Sequence, residues 1–84
     1  MRYTVLFKPS AKRQFESLDA SVRERIAAKI SALAENPFPA GCKKLTGDEA
    51  YRIRIGDWRV IFDVLESEIV VLVLRIGHRR EVYR

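Results

Sequence analysis

The sequence predicts an α+β fold of two layers: an N-terminal strand, an α-helical hairpin and then a three-stranded antiparallel sheet, in the order β-α-α-β-β-β. Two observations carry this. Apolar residues recur at helical spacing between Ala11 and Leu33, and from Tyr51 onward the period changes to two, with a Gly-Asp pair punctuating the alternation. At 84 residues the chain has room for one core, and no repeat, low-complexity stretch or linker divides it, so residues 1–84 are expected to form a single domain.

The first strand is expected over Tyr3 to Lys8, where Tyr3, Val5 and Phe7 alternate with Thr4, Leu6 and Lys8, and Pro9 stops it. Ser10 is then placed to cap a short helix whose face is Ala11, Phe15 and Leu18. A second helix starts at Asp19 or Ser21, the latter forming a capping box with Glu24, and buries a stripe of Val22, Ile26, Ile30 and Leu33. The segment Asn36 to Gly41, "NPFPAG", breaks it. Tyr51, Ile53 and Ile55 alternate with Arg52 and Arg54, and Gly56-Asp57 makes a hairpin turn. The return strand puts Trp58, Val60, Phe62 and Val64 on one face and Arg59, Ile61 and Asp63 on the other. After a turn near Glu66-Ser67, Ile69 to Ile76 is apolar on both faces and reads as a central strand ended by Gly77.

Composition narrows the function classes. Hydrophobic residues at 48% and charged residues at 32% are ordinary for a globular protein and unlike a disordered tail. The apolar run from Ile69 to Leu74 is far too short to span a bilayer and Met1-Arg2-Tyr3 opens no signal-peptide pattern, so a cytoplasmic location is expected. Cys42 is the one cysteine; it fits a reducing compartment and is given no role. No His/Cys/carboxylate cluster, Gly-rich phosphate loop or Ser/His/Asp set stands out, so neither a metal nor another cofactor is expected.

A net charge of +5 and a pI near 9.8 favour an anionic partner such as nucleic acid. Residues 1–42 hold seven Lys/Arg against four Asp/Glu and residues 43–84 hold nine against seven, so no basic tail exists and any basic patch must be made by folding. If the apolar strand residues face the helices, the pleat sends Arg52, Arg54 and Arg59 together to the open face. Arg75 shares the parity of Ile69, Val71 and Val73, so the open face is either the Arg75 side or, after a bulge, its reverse, and parity alone does not settle which. Beyond it, "GHRREVYR" adds His78, Arg79, Arg80, Tyr83 and Arg84. Arginine forks bind phosphates and an exposed tyrosine stacks a base, the pairing used for single-stranded RNA. The plainer alternative is a solvated strand face, with Asp57, Asp63 and Glu81 as ion-pair partners. Trp58, Tyr51 and Tyr3 are assigned to the core rather than to base stacking.

"KLTGDEAYRIRIGDWRVIFDV" followed by "IVVLVLRIGHRREVYR" resembles the RelE/ParE toxin superfamily, in particular the RelE-like mRNA interferases of type II toxin–antitoxin modules. The opening "MRYTVLFKPSAKRQFESL" matches as well, so the resemblance covers essentially the whole chain. It implies a metal-independent, ribosome-dependent endoribonuclease held inactive by a RelB-like antitoxin, cleaving mRNA through attack of a ribose 2′-OH on the adjacent phosphate. It also implies roles. Arg52 and Arg54 fall on the two basic positions of the family's second strand, Arg59 on the arginine that neutralises the phosphorane, Arg79 on the group that serves the leaving oxygen, and Tyr83 on the tyrosine that orients the nucleotide. Arg75, Arg80, Arg84, Lys43 and Lys44 complete the expected RNA-binding set.

One departure matters. Family members often carry lysines where Arg52 and Arg54 stand, and an arginine does not release its proton as a lysine can. His78 is ranked first as the general base, ahead of Tyr83 and Glu49. Two other functions remain open: a ParE-like toxin that inhibits DNA gyrase by binding, and a non-catalytic relic whose basic face only docks its antitoxin.

Overall fold

The computed structural model describes residues 2–45 and 50–78. Its elements are β1 (Thr4–Phe7), α1 (Pro9–Glu16), α2 (Ala20–Leu33), β2 (Lys43–Lys44), β3 (Tyr51–Ile55), β4 (Trp58–Leu65), a 3₁₀ turn (Glu66–Glu68) and β5 (Val70–His78). The strands form one five-stranded sheet in the order β1-β5-β4-β3-β2. β1 runs parallel to β5, and the remaining pairs are antiparallel. The chain is therefore the expected two-layer α+β fold, with both helices carrying the chain from β1 at one edge of the sheet to β2 at the other.

The helical stripe is buried as its spacing requires: Ile26, Ile30 and Leu33 of α2 and Ala11 of α1 pack with Ile53, Ile55, Val60, Phe62, Val71, Val73 and Ile76 in one cluster. Phe62 is fully buried at its centre. Tyr51 stacks on it with ring centroids 6.0 Å apart, and Phe38, from the helix-breaking loop, meets Tyr51 edge-on at 5.2 Å. Tyr3, Tyr51 and Trp58 all pack against this core, as their strand parity requires.

Local chemistry explains the joints. Lys8 still bonds to β5, its N–H donating to the Val73 carbonyl, and it is also the residue before the helix. Pro9 at the first helical turn has no N–H to lose. Ser10 accordingly lies inside α1 instead of capping it. Of the two candidate starts for α2, Asp19 occupies the cap position, and the Ser21 capping box does not form. Arg23 of α2 donates to the carbonyls of Leu18 and Glu16, tying off the end of α1 where cationic side chains are favoured. At the β3–β4 turn Gly56 sits at φ +60 and Asp57 at negative φ, the sign pattern of a II′ hairpin. A side chain on Gly56 would put its Cβ 2.9 Å from an Arg25 guanidinium nitrogen.

The strands differ from the sequence reading in other places besides β1, which is shorter by one residue at each end. The two-residue strand Lys43–Lys44, too short to show a period, pairs with β3. Ile69 is not in β5 but turns into it at φ 55. Gly77 does not end β5, because β4 is long enough to pair through Trp58 with His78.

Candidate nucleic-acid interface

Residues directly opposite each other in neighbouring strands present their side chains to the same face. The register sets Lys43 against Arg52, Arg52 against Ile61 and Ile61 against Arg75. The adjacent row sets Arg54 against Arg59 and Arg59 against Gly77. With Ile53, Val60 and Phe62 committed to the helices, both rows face away from them. Arg52, Arg54, Arg59, Arg75 and Lys43 thus share one face across four strands, and none of that juxtaposition exists along the chain.

The parity question at Arg75 is settled by a slip in the ladder. Ile61 pairs with Arg75 but Phe62 with Val73, leaving Leu74 as an extra residue in β5. Val73 and Ile76 stay buried on the helix side while Arg75 is exposed on the other.

The arginines do not share one environment. Arg54 and Arg75 are exposed and form no ion pair with any described acid; the ion pair found among the described residues, Arg2 with Glu35, lies elsewhere. Asp63 turns a carboxylate oxygen to the Val64 N–H at 2.8 Å. A simple lattice of ion pairs therefore does not account for Arg54 and Arg75. Arg59, expected on the open surface, is only 4% exposed. Its guanidinium folds back over the hairpin turn and donates to the carbonyls of Trp58 at 3.1 Å and Gly56 at 3.3 Å. Gly77 opposite it contributes no side chain, leaving the stem room to lie against the sheet.

His78 is not with this group. It belongs to β5 rather than to a loop, pairs with Trp58, and therefore lies on the helix side, where its ring meets the Trp58 indole edge-on at 5.6 Å. Lys44 pairs with Tyr51 and likewise takes the parity opposite to Lys43. Arg79, Arg80, Tyr83, Arg84 and the alternative base Glu49 lie outside the described residues. Cys42 is partly buried, and desolvation raises its thiol above the ordinary range. No described helix is long and apolar enough to cross a membrane.

The comparisons with known proteins agree with this architecture. The mRNA interferase toxin RelE of Escherichia coli K12 is 28% identical over 87 residues, covering 99% of this chain and 92% of its own. Toxin RelG of Mycobacterium tuberculosis is 28% identical over 87 residues, with 100% and 99% covered. Among solved structures, a free mutant of E. coli toxin RelE superposes with a TM-score of 0.82 at 28% identity, covering 99% of this chain and 92% of that one. The RelE chain match in an archaeal RelE–RelB complex from Pyrococcus horikoshii gives 0.80 at 28%, covering 96% and 99%. A family model described as the ParE toxin of the type II toxin–antitoxin system parDE matches residues 5–83, and the chain belongs to that toxin family.

Proposed function

We propose that this toxin is a metal-independent, ribosome-dependent endoribonuclease that cuts mRNA, and that its partners are the ribosome, mRNA and a RelB-like antitoxin. The observation that carries the reading is the arginine face: four guanidiniums and Lys43 gathered by strand pairing onto the side of the sheet without helices. The relative named an mRNA interferase, matched over nearly all of both chains, supports it, and the solved RelE–RelB complex supports the antitoxin.

In this reading the 2′-oxygen of a ribose attacks the adjacent phosphorus in line, the bond to the 5′-oxygen breaks, and a cyclic phosphate and a 5′-hydroxyl result. Negative charge grows on the non-bridging oxygens in the transition state. Fixed guanidiniums stabilise it without reorganising, and this electrostatic contribution is large in a site that excludes water. Arg59 is held by two backbone carbonyls. Arg54, directly opposite it on β3, and Arg52, one row along, grip the neighbouring phosphates, with Arg79 serving the leaving oxygen and Tyr83 the nucleobase. His78 lies on the helix side with its ring edge-on to Trp58, so in this reading the proton leaving the 2′-oxygen goes to Tyr83 or Glu49 and the 5′-oxygen is protonated as it departs.

A second reading is favoured by the family model itself, which describes ParE toxins: inhibition of DNA gyrase by binding, through the same fold. The two separate in one experiment. Purified protein is added to a reconstituted translation system and, in parallel, to a gyrase supercoiling reaction. Endoribonuclease activity predicts new mRNA ends within ribosome-bound codons and unimpaired supercoiling; intact mRNA with gyrase arrested on cleaved DNA overturns it.

A further inference from the structure

Beyond Phe7, β1 leaves the sheet, because Lys8 makes the last bond to β5 and Pro9 begins α1. β5 continues to His78 with β4 on one side and, among the described residues, no strand on the other. An N–H on that uncovered edge would be orphaned in a buried place, and leaving it so is costly. The N–H of Ile76, whose residue is 2% exposed, instead donates to the side-chain carbonyl oxygen of Gln14 at 2.9 Å, a contact spanning 62 positions of sequence.

The parity of this bond is informative. Ile69 and Val73 turn their carbonyls toward β1, so odd-numbered residues present their backbone to that side before the slip. Ile76 is even. Its N–H points toward α1 only because Leu74 is the extra residue between the pairs Phe62–Val73 and Ile61–Arg75. Without the slip, Arg75 would present its backbone there and Ile76 would turn its side chain to the arginine face.

We infer that Gln14 is a positioning residue: its amide clamps β5 in the bulged register that brings Arg75 beside the Arg52 row and Gly77 opposite Arg59. Gln14 does not touch RNA, since it reaches the strand from the helix layer. Its effect on activity passes through the arginine face, and that part rests on the endoribonuclease reading.

The test compares Gln14→Met, which keeps the length and loses the acceptor, with Gln14→Glu, which keeps an acceptor. Both are measured well below their melting temperatures for Ile76 amide exchange, for the cross-strand proton contacts of Ile61 with Arg75, and for single-turnover mRNA cleavage on programmed ribosomes. The clamp predicts that Gln14→Met speeds Ile76 exchange by about tenfold or more and weakens the Ile61–Arg75 contacts. It also predicts a cleavage rate about tenfold lower at unchanged half-saturating concentration, with Gln14→Glu close to wild type in every measurement. Unchanged exchange and contacts in Gln14→Met overturn the clamp. A cleavage loss that Gln14→Glu shares, or that only tracks the unfolded fraction, overturns the positioning role. If the wild type itself cuts nothing, the endoribonuclease reading fails, while exchange and proton contacts still decide the clamp.

Discussion

The two faces of the sheet are made from alternate residues of the same strands, yet one is nearly all hydrocarbon and the other is crowded with like charge. On the helix side Ile53, Val60, Phe62, Val71 and Val73 are buried against Ile26 and Ile30. One pleat away, Arg52, Arg54 and Arg59 repel one another in adjacent rows. The helix side supplies the burial that holds the charged side together. In the proposed reading, cations gathered from neighbouring strands onto one face are what an anionic substrate meets.

The largest expected effect breaks the helix side. Phe62→Ala, at the fully buried centre of the core, should cost about 3–5 kcal/mol, which chemical denaturation reads directly, and for a chain this small would leave much of it unfolded. Next comes Arg59→Ala, which should lower stability by roughly 1–3 kcal/mol, since a buried stem and two bonds to turn carbonyls go together. It should also abolish growth inhibition, so it belongs to both faces at once. Arg54→Ala isolates the charged face: within about 0.5 kcal/mol of wild type in unfolding, it should lose about tenfold or more in cleavage.

The contrast between Arg59 and Arg54 also shows what the sequence conceals. Alternation from Tyr51 to Ile55 predicts which face each arginine takes, and the helical spacing of Ile26, Ile30 and Leu33 predicts what lies behind them. Depth is another matter. Arg59 is buried with its guanidinium on turn carbonyls one and three residues back and Gly77 opposite, and the Gly77 pairing depends on a register with β5 that is not written locally. The slip at Leu74 was equally hidden: a strand apolar on both faces carries no period for a bulge to interrupt. His78 followed Gly77 and so looked like a loop residue, until pairing with Trp58 carried the strand past the glycine.

Smaller effects sharpen the division. His78→Ala removes an edge-on ring contact with Trp58 and should cost about 0.5–1.5 kcal/mol. Cleavage per folded molecule should be unchanged; a strong loss would return His78 to proton transfer. Smallest is a pH effect at Cys42, whose thiol is raised by burial. The folded chain holds that proton more tightly than the unfolded one, so the contribution is intact below the ordinary thiol range and is lost as pH rises through the folded value. A slight fall in melting temperature under alkaline conditions, absent in Cys42→Ser, would show it.

In the proposed function the helix-free face cuts RNA with its arginines, separately from the packing that holds the fold. Single-turnover cleavage of mRNA on programmed ribosomes, run for wild type and Arg54→Ala on samples whose melting is recorded alongside, tests it most directly. The expected result is ribosome-dependent cuts bearing 5′-hydroxyl ends by the wild type and a rate lower by about tenfold or more in Arg54→Ala, at equal melting temperature. Equal rates in the two proteins, or mRNA left intact by the wild type, would contradict it.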